Sequence, residues 1–166
     1  MKRWPGVVAV GGRRRRRIPD RDAVQQIIAT FGQTIGIGDL GHDEYGFCCL
    51  VIDQDMVINI ELDEAAQRLL LYSVVGRPDA ERFPLLLEAN YLGQGTGGGS
   101  LGLQPGTGAA VLSWEVPVAQ LDVPTFSTAL ERFVNLTEDW TKRLQAAESE
   151  PAADTYAPPP QGGIRA

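Results

Sequence analysis

Leu85-Leu86-Leu87-Glu88-Ala89-Asn90-Tyr91-Leu92 runs into Gly93-Gln94-Gly95-Thr96-Gly97-Gly98-Gly99. Two strand-like runs follow, Ser100 to Leu103 and Ala109 to Val116, about the turn Pro105-Gly106-Thr107-Gly108. The order is helix, glycine tract, strand. A glycine loop that cradles phosphate leaves a strand and enters a helix, so that the helix N-terminus faces the anion. Here the direction is reversed. Gly93-x-Gly95-x-x-Gly98 matches the dinucleotide pattern by letter, and Gly93 to Ser100 follows a P-loop until Gly99 stands where the lysine belongs. Gly36-x-Gly38-x-x-Gly41 fails in the same way. Both tracts read as helix C-caps followed by flexible connections, and nucleotide binding is set aside.

Working outward, a first helix starts at Pro19-Asp20, places Val24, Ile27, Ile28, Phe31 and Ile35 on one face, and ends at Gly36. Phe47 to Ile52 and Met56 to Leu62 form a hairpin about Asp53-Gln54-Asp55. In its second strand Met56, Ile58, Ile60 and Leu62 alternate with Val57, Asn59 and Glu61, giving one buried and one mixed face. Leu69 to Val75 is the third strand, and Pro84 fits the first turn of the second helix. Asp122 caps a last helix with Pro124 in its first turn and a stripe of Phe126, Leu130, Phe133, Val134, Thr137, Trp140 and Leu144. The layout is α-β-β-β-α-β-β-α, an α+β domain in which helices pack on a twisted antiparallel sheet.

Composition bounds the rest. The chain has 166 residues and 43% hydrophobic residues, which suits one domain with a real core. Residues 1–18 and 148–166 read as disordered ends, the first basic, the second rich in Pro and Gly; the domain spans 19–147. Residues 1–17 hold Lys2, Arg3 and Arg13 to Arg17 and no acid, so removing these seven cations from a net charge of −6 leaves −13 on the remainder. An acidic domain disfavours nucleic acid and anionic membrane as main partners. No segment has the order of a secretory signal or the length of a membrane span, and the expected location is the cytoplasm.

Chemistry-bearing residues are sparse. His42 beside Asp43 and Glu44 reads as a solvated acidic turn, because neighbours in sequence rarely converge on a substrate. The pairs Asp53/Asp55 and Asp63/Glu64 lack calcium-loop spacing and read as surface. Cys48 and Cys49 are adjacent in a strand, point to opposite faces, and read as reduced core thiols without a disulfide. No metal site, cofactor or catalytic nucleophile is expected, so the chain reads as a binding protein. Trp114 and Trp140 read as core or interface aromatics, and Arg13 to Arg17 as a solvated run.

The order of these elements carries a resemblance. The helix ending Ile35-Gly36-Ile37, the strands Cys49-Leu50-Val51-Ile52-Asp53 and Val57-Ile58-Asn59-Ile60, Leu69-Leu70-Leu71-Tyr72, Leu86-Leu87-Glu88-Ala89-Asn90, Leu101-Gly102-Leu103, Val111-Leu112-Ser113-Trp114, and Leu130-Glu131-Arg132-Phe133 with Trp140 resemble class I type III secretion chaperones of the CesT/Tir type. The resemblance spans the whole expected domain. It implies a cytoplasmic homodimer that binds the N-terminal region of a type III effector as an extended chain, without ATP, with the secretion apparatus as a third candidate partner. It places the dimer contact at Leu86, Leu87, Tyr91, Leu92, Leu101 and Leu103. It places the effector groove at Val24, Ile28, Phe47, Cys49 and Val51. Two alternatives stay open: a domain of this fold in another intracellular binding role, and a nucleic-acid-binding protein using Arg13 to Arg17.

Overall fold

Asp20 caps the first helix: the Ala23 N–H donates to its Oδ1 at 3.1 Å, and α1 runs Arg21–Thr34. The computed structural model describes residues 20–148, apart from 39, 42, 44, 45 and 54. The expected basic and proline-rich ends, the Arg13 to Arg17 run, His42 and Glu44 lie outside the described residues.

Five strands follow in the expected order: β1 Phe47–Ile52, β2 Met56–Asp63, β3 Arg68–Gly76, β4 Ser100–Leu103 and β5 Ala110–Pro117. They pair antiparallel throughout in the order β1-β2-β3-β5-β4, so that β1 and β4 are the two edges. Helix α2, Phe83–Asn90, precedes β4, and α3, Val123–Glu148, closes the chain. Asp122 caps α3 by accepting the Thr125 N–H at 2.8 Å. The fold class is α+β.

One face of the sheet carries the core. Ile58, Ile60, Leu69, Leu71 and Leu112 are fully buried there with Val24 and Ile28 of α1 and Phe126, Phe133 and Trp140 of α3. Phe31 meets Phe126 edge to face at 5.1 Å between ring centres, where α1 packs on α3. The three buried polar side chains among the described residues are each satisfied: Ser73 donates to the Val57 carbonyl, Thr137 to that of Phe133 and Thr96 to that of Gly99.

The glycine tract departs from expectation. In place of a flexible connection it is a folded loop around the end of α2. Gly95 N–H donates to the Ala89 carbonyl at 3.0 Å and Gly98 N–H to that of Gly93 at 3.0 Å. The Gly95 carbonyl in turn accepts the indole N–H of buried Trp140 at 2.9 Å. A buried indole needs an acceptor, and the loop supplies it. The glycines permit the approach: a Cβ on Gly95 would lie 2.8 Å from Ala89 Cα, and one on Gly99 would lie 2.3 Å from the Ser113 oxygen.

Candidate binding surfaces

The helix-free face of the sheet follows from strand alternation. Cys48 and Leu50 point to the core, so Phe47, Cys49 and Val51 point away from it. The register sets Val51 opposite Val57, Cys49 opposite Asn59, Asn59 opposite Tyr72 and Val74 opposite Val111. The result is a sheet surface in which Val51, Val57 and Val74 are 60%, 42% and 54% exposed. Its far end is polar: Arg68 binds Asp63 at 3.1 Å and also Glu115. Asp63 is held below the usual carboxylate range, first by the Ala66 N–H and further by Arg68. Tyr72 is pushed above its ordinary value by burial and then by Glu61. An apolar field beside an acid-rich rim suits a chain segment with alternating apolar residues better than a small anion.

The β1 edge of this surface offers backbone groups. Leu62 N–H donates to the Gly46 carbonyl at 2.9 Å, which makes Gly46 and Leu62 a bonded pair. Antiparallel alternation then turns the peptide groups of Cys48 and Leu50 toward β2 and those of Phe47, Cys49 and Val51 outward. Asp43 takes both groups of Phe47: its carboxylate accepts the Phe47 N–H at 3.0 Å and its own N–H donates to the Phe47 carbonyl at 2.8 Å. The outward peptide groups of Cys49 and Val51 have no backbone partner among the described residues. Two residues of edge, four hydrogen-bonding groups, stand next to the apolar face.

A second apolar surface lies at the opposite end of the sheet, where α2 meets β4. Leu87 is 71% exposed, Tyr91 67% and Leu92 78%, with Phe83, Leu85 and Leu103 also exposed. Leu92 has φ 53° and ψ 22°, the left-handed region that glycine favours. A leucine there costs about 1–2 kcal/mol of backbone energy, and its side chain is nevertheless presented to the outside.

The model of the Tir chaperone protein (CesT) family matches residues 26–141, which takes in most of α1, the whole sheet and most of α3. The chain belongs to the CesT family. Among solved structures, a chain of the ExsC-ExsE complex superposes with a TM-score of 0.68 at 25% identity, covering 75% of this chain and 95% of that one. A chain of the HopA1-SchA chaperone-effector complex gives 0.60 at 24% identity, covering 74% and 93%. The Yersinia pestis type III secretion chaperone SycH in complex with a stable fragment of YscM2 gives 0.57 at 14% identity, covering 70% and 98%. A comparison with curated proteins finds no match.

Within this CesT-family fold the expected site residues separate by face. Cys49 and Val51 are exposed on the outer sheet face and Phe47 is half-buried on it, whereas Val24 and Ile28 are 0% exposed on the buried face of α1. Of the expected dimer set, Leu87, Tyr91, Leu92 and Leu103 are exposed; Leu86 and Leu101 are buried under them. A fully buried side chain offers a partner no surface, so Val24, Ile28, Leu86 and Leu101 act as core. Cys49 corrects the reading of two core thiols. Cys48 alone is buried, and burial pushes its thiol up; both are free. Val57, Val74 and Phe83 join the surfaces without having been singled out, although strand alternation places Val57 and Val74 beside Val51. No group of three or more His, Cys, Asp or Glu is placed to hold a metal ion among the described residues, and no described helix is long and apolar enough to cross a membrane.

Proposed function

We propose that this chain is a chaperone that binds the N-terminal region of a type III secreted effector as an extended segment in the bacterial cytoplasm and keeps it secretion-competent without ATP. The observation that carries this is the open β1 edge at Cys49 and Val51 lying against the exposed apolar sheet face of Val51, Val57 and Val74. Strand addition at such an edge supplies main-chain hydrogen bonds, and the adjoining face supplies pockets for alternate side chains. Each fully buried apolar anchor contributes about 1.5–3 kcal/mol, so a few anchors offset the cost of ordering the segment. Neither contribution calls for a nucleotide or a metal. Membership of the CesT family and the chaperone-effector complex among the superposing structures support the choice of client. The α2-β4 patch of Leu87, Tyr91, Leu92 and Leu103 is the proposed contact with a second copy, with the secretion apparatus as a further partner.

The test is calorimetry with a candidate effector's N-terminal region in EDTA and without ATP. Binding with a negative heat-capacity change, weakened by Val51→Asp in a protein that stays folded, is the expected result. Binding that appears only when nucleotide or metal is added overturns the mechanism.

A further inference from the structure

We propose that Asn90 closes the β4 edge: its carboxamide stands in for the peptide of a neighbouring strand and turns strand addition away from β4, toward β1. The proposal rests on strand addition as the binding mode put forward above. Gln104 N–H donates to the Ala109 carbonyl at 2.8 Å, which makes these residues a bonded pair. With Gly102 opposite Val111 and Ser100 opposite Ser113, alternation turns the peptide groups of Leu101 and Leu103 outward, off the sheet. Leu101 meets Asn90 there. The Leu101 N–H donates to Asn90 Oδ1 at 2.8 Å and Asn90 Nδ2 donates to the Leu101 carbonyl at 2.9 Å. A carboxamide carries the donor and acceptor of a peptide group on one plane, so it satisfies the pair that an added strand would use. Aspartate lacks the donor and alanine lacks both.

The two edges therefore differ. β4 has four residues, and with Leu101 occupied only Leu103 has both groups turned outward; β1 keeps Cys49 and Val51. An added strand gains two adjacent residue pairs at β1 and one at β4. Asn90 is also the last residue of α2, so the same two bonds pin the end of that helix to the sheet. Unpaired edges are templates for association with other chains, and proteins blunt them. Here a side chain does the blunting.

The test uses backbone amide exchange and sedimentation velocity on the full chain. In the wild type the Leu101 N–H should be protected although it faces off an edge strand, and the Cys49 N–H should exchange fast. Asn90→Ala should speed Leu101 exchange about tenfold, as expected for one lost buried hydrogen bond. It should also produce species larger than the wild type by pairing of exposed β4 edges. Adding Gly102→Lys should restore the wild-type size, since a Cβ at Gly102 meets nothing within 4 Å and a charge on an edge strand opposes pairing. Asn90→Asp, which keeps the shape and loses the donor, is the second variant and should also sediment as larger species. A Leu101 N–H that exchanges as fast as that of Cys49 in the wild type overturns the proposal even if no variant folds. So does wild-type sedimentation of folded Asn90→Ala and Asn90→Asp. None of these readouts uses a client: a chain that shows them and binds no effector segment loses the chaperone reading alone, and one that binds at β1 without them loses only the role of Asn90.

Discussion

Val24 and Val51 carry the same side chain in opposite settings, one 0% and the other 60% exposed. A carboxylate at Val24 would be buried without a partner among Ile28, Phe31 and their neighbours, whereas one at Val51 stays in water. Val24→Asp should therefore cost about 3 kcal/mol or more, and Val51→Asp should stay within about 0.5 kcal/mol, both read by urea unfolding. Equal losses would mean that the outer sheet face is covered in the isolated chain. Cys48 adds a pH dependence with a definite sign. Burial raises its thiol pKa in the folded state, so the folded chain holds that proton more tightly than the unfolded chain. Stability from this source is complete below the ordinary thiol value and falls as pH rises through it. Tyr72, raised for the same first reason, acts in the same direction at still higher pH. Wild type should lose more stability than Cys48→Ala between pH 8 and pH 10, and matching losses would remove Cys48 as a source.

Elements were legible wherever one strand or helix defines its own pattern. The alternation of Met56 to Leu62 separates core from surface within β2, and Asp20 and Asp122 announce α1 and α3 by their capping chemistry. What was not legible depends on register between distant segments. Nothing in Gly93 to Gly99 announces that its carbonyl receives the Trp140 indole, a contact across 45 residues, so the tract read as flexible. Asp43 on Phe47 and Asn90 on Leu101 are equally silent, because a capping side chain is recognised only once the edge it caps is known. The apolar residues of α1 and α2 show the same limit: hydrophobic letters at Val24 and Ile28 serve core and groove alike, and at Leu86 core and dimer contact alike, until the sheet says which side is covered. The glycine loop yields an element-scale prediction. Gly95→Val places a side chain against the backbone of Ala89 at the end of α2 and must displace the Trp140 acceptor or the helix. It should cost about 1–3 kcal/mol, as overpacking does, and quench or shift Trp140 fluorescence. A variant with wild-type stability would show that the loop gives way freely.

At the scale of the whole molecule the two apolar surfaces lie at different places on the sheet, so the proposed client and the proposed second copy would not compete for one site. β1 and β4 are opposite edges, and α2 with Leu103 belongs to the β4 side. A stable dimer buries on the order of 1,600 Å² in total with a few well-packed anchors near its centre. Leu87, at 71% exposure, Tyr91, at 67%, and Leu92, at 78%, are the most exposed large apolar side chains of the α2-β4 patch. Leu92 gives the sharper test, because its left-handed backbone separates what the fold wants from what the interface wants. Leu87→Glu should yield a folded monomer by light scattering at micromolar concentration. Leu92→Gly relieves the left-handed conformation and removes the anchor, so it should leave unfolding of the isolated chain unchanged or raise it by up to about 1 kcal/mol while weakening self-association. A wild-type chain that is monomeric at micromolar concentration, or a Leu92→Gly chain that loses stability and keeps its dimer, would leave the strained leucine without this purpose and return the α2-β4 patch to the search for another partner.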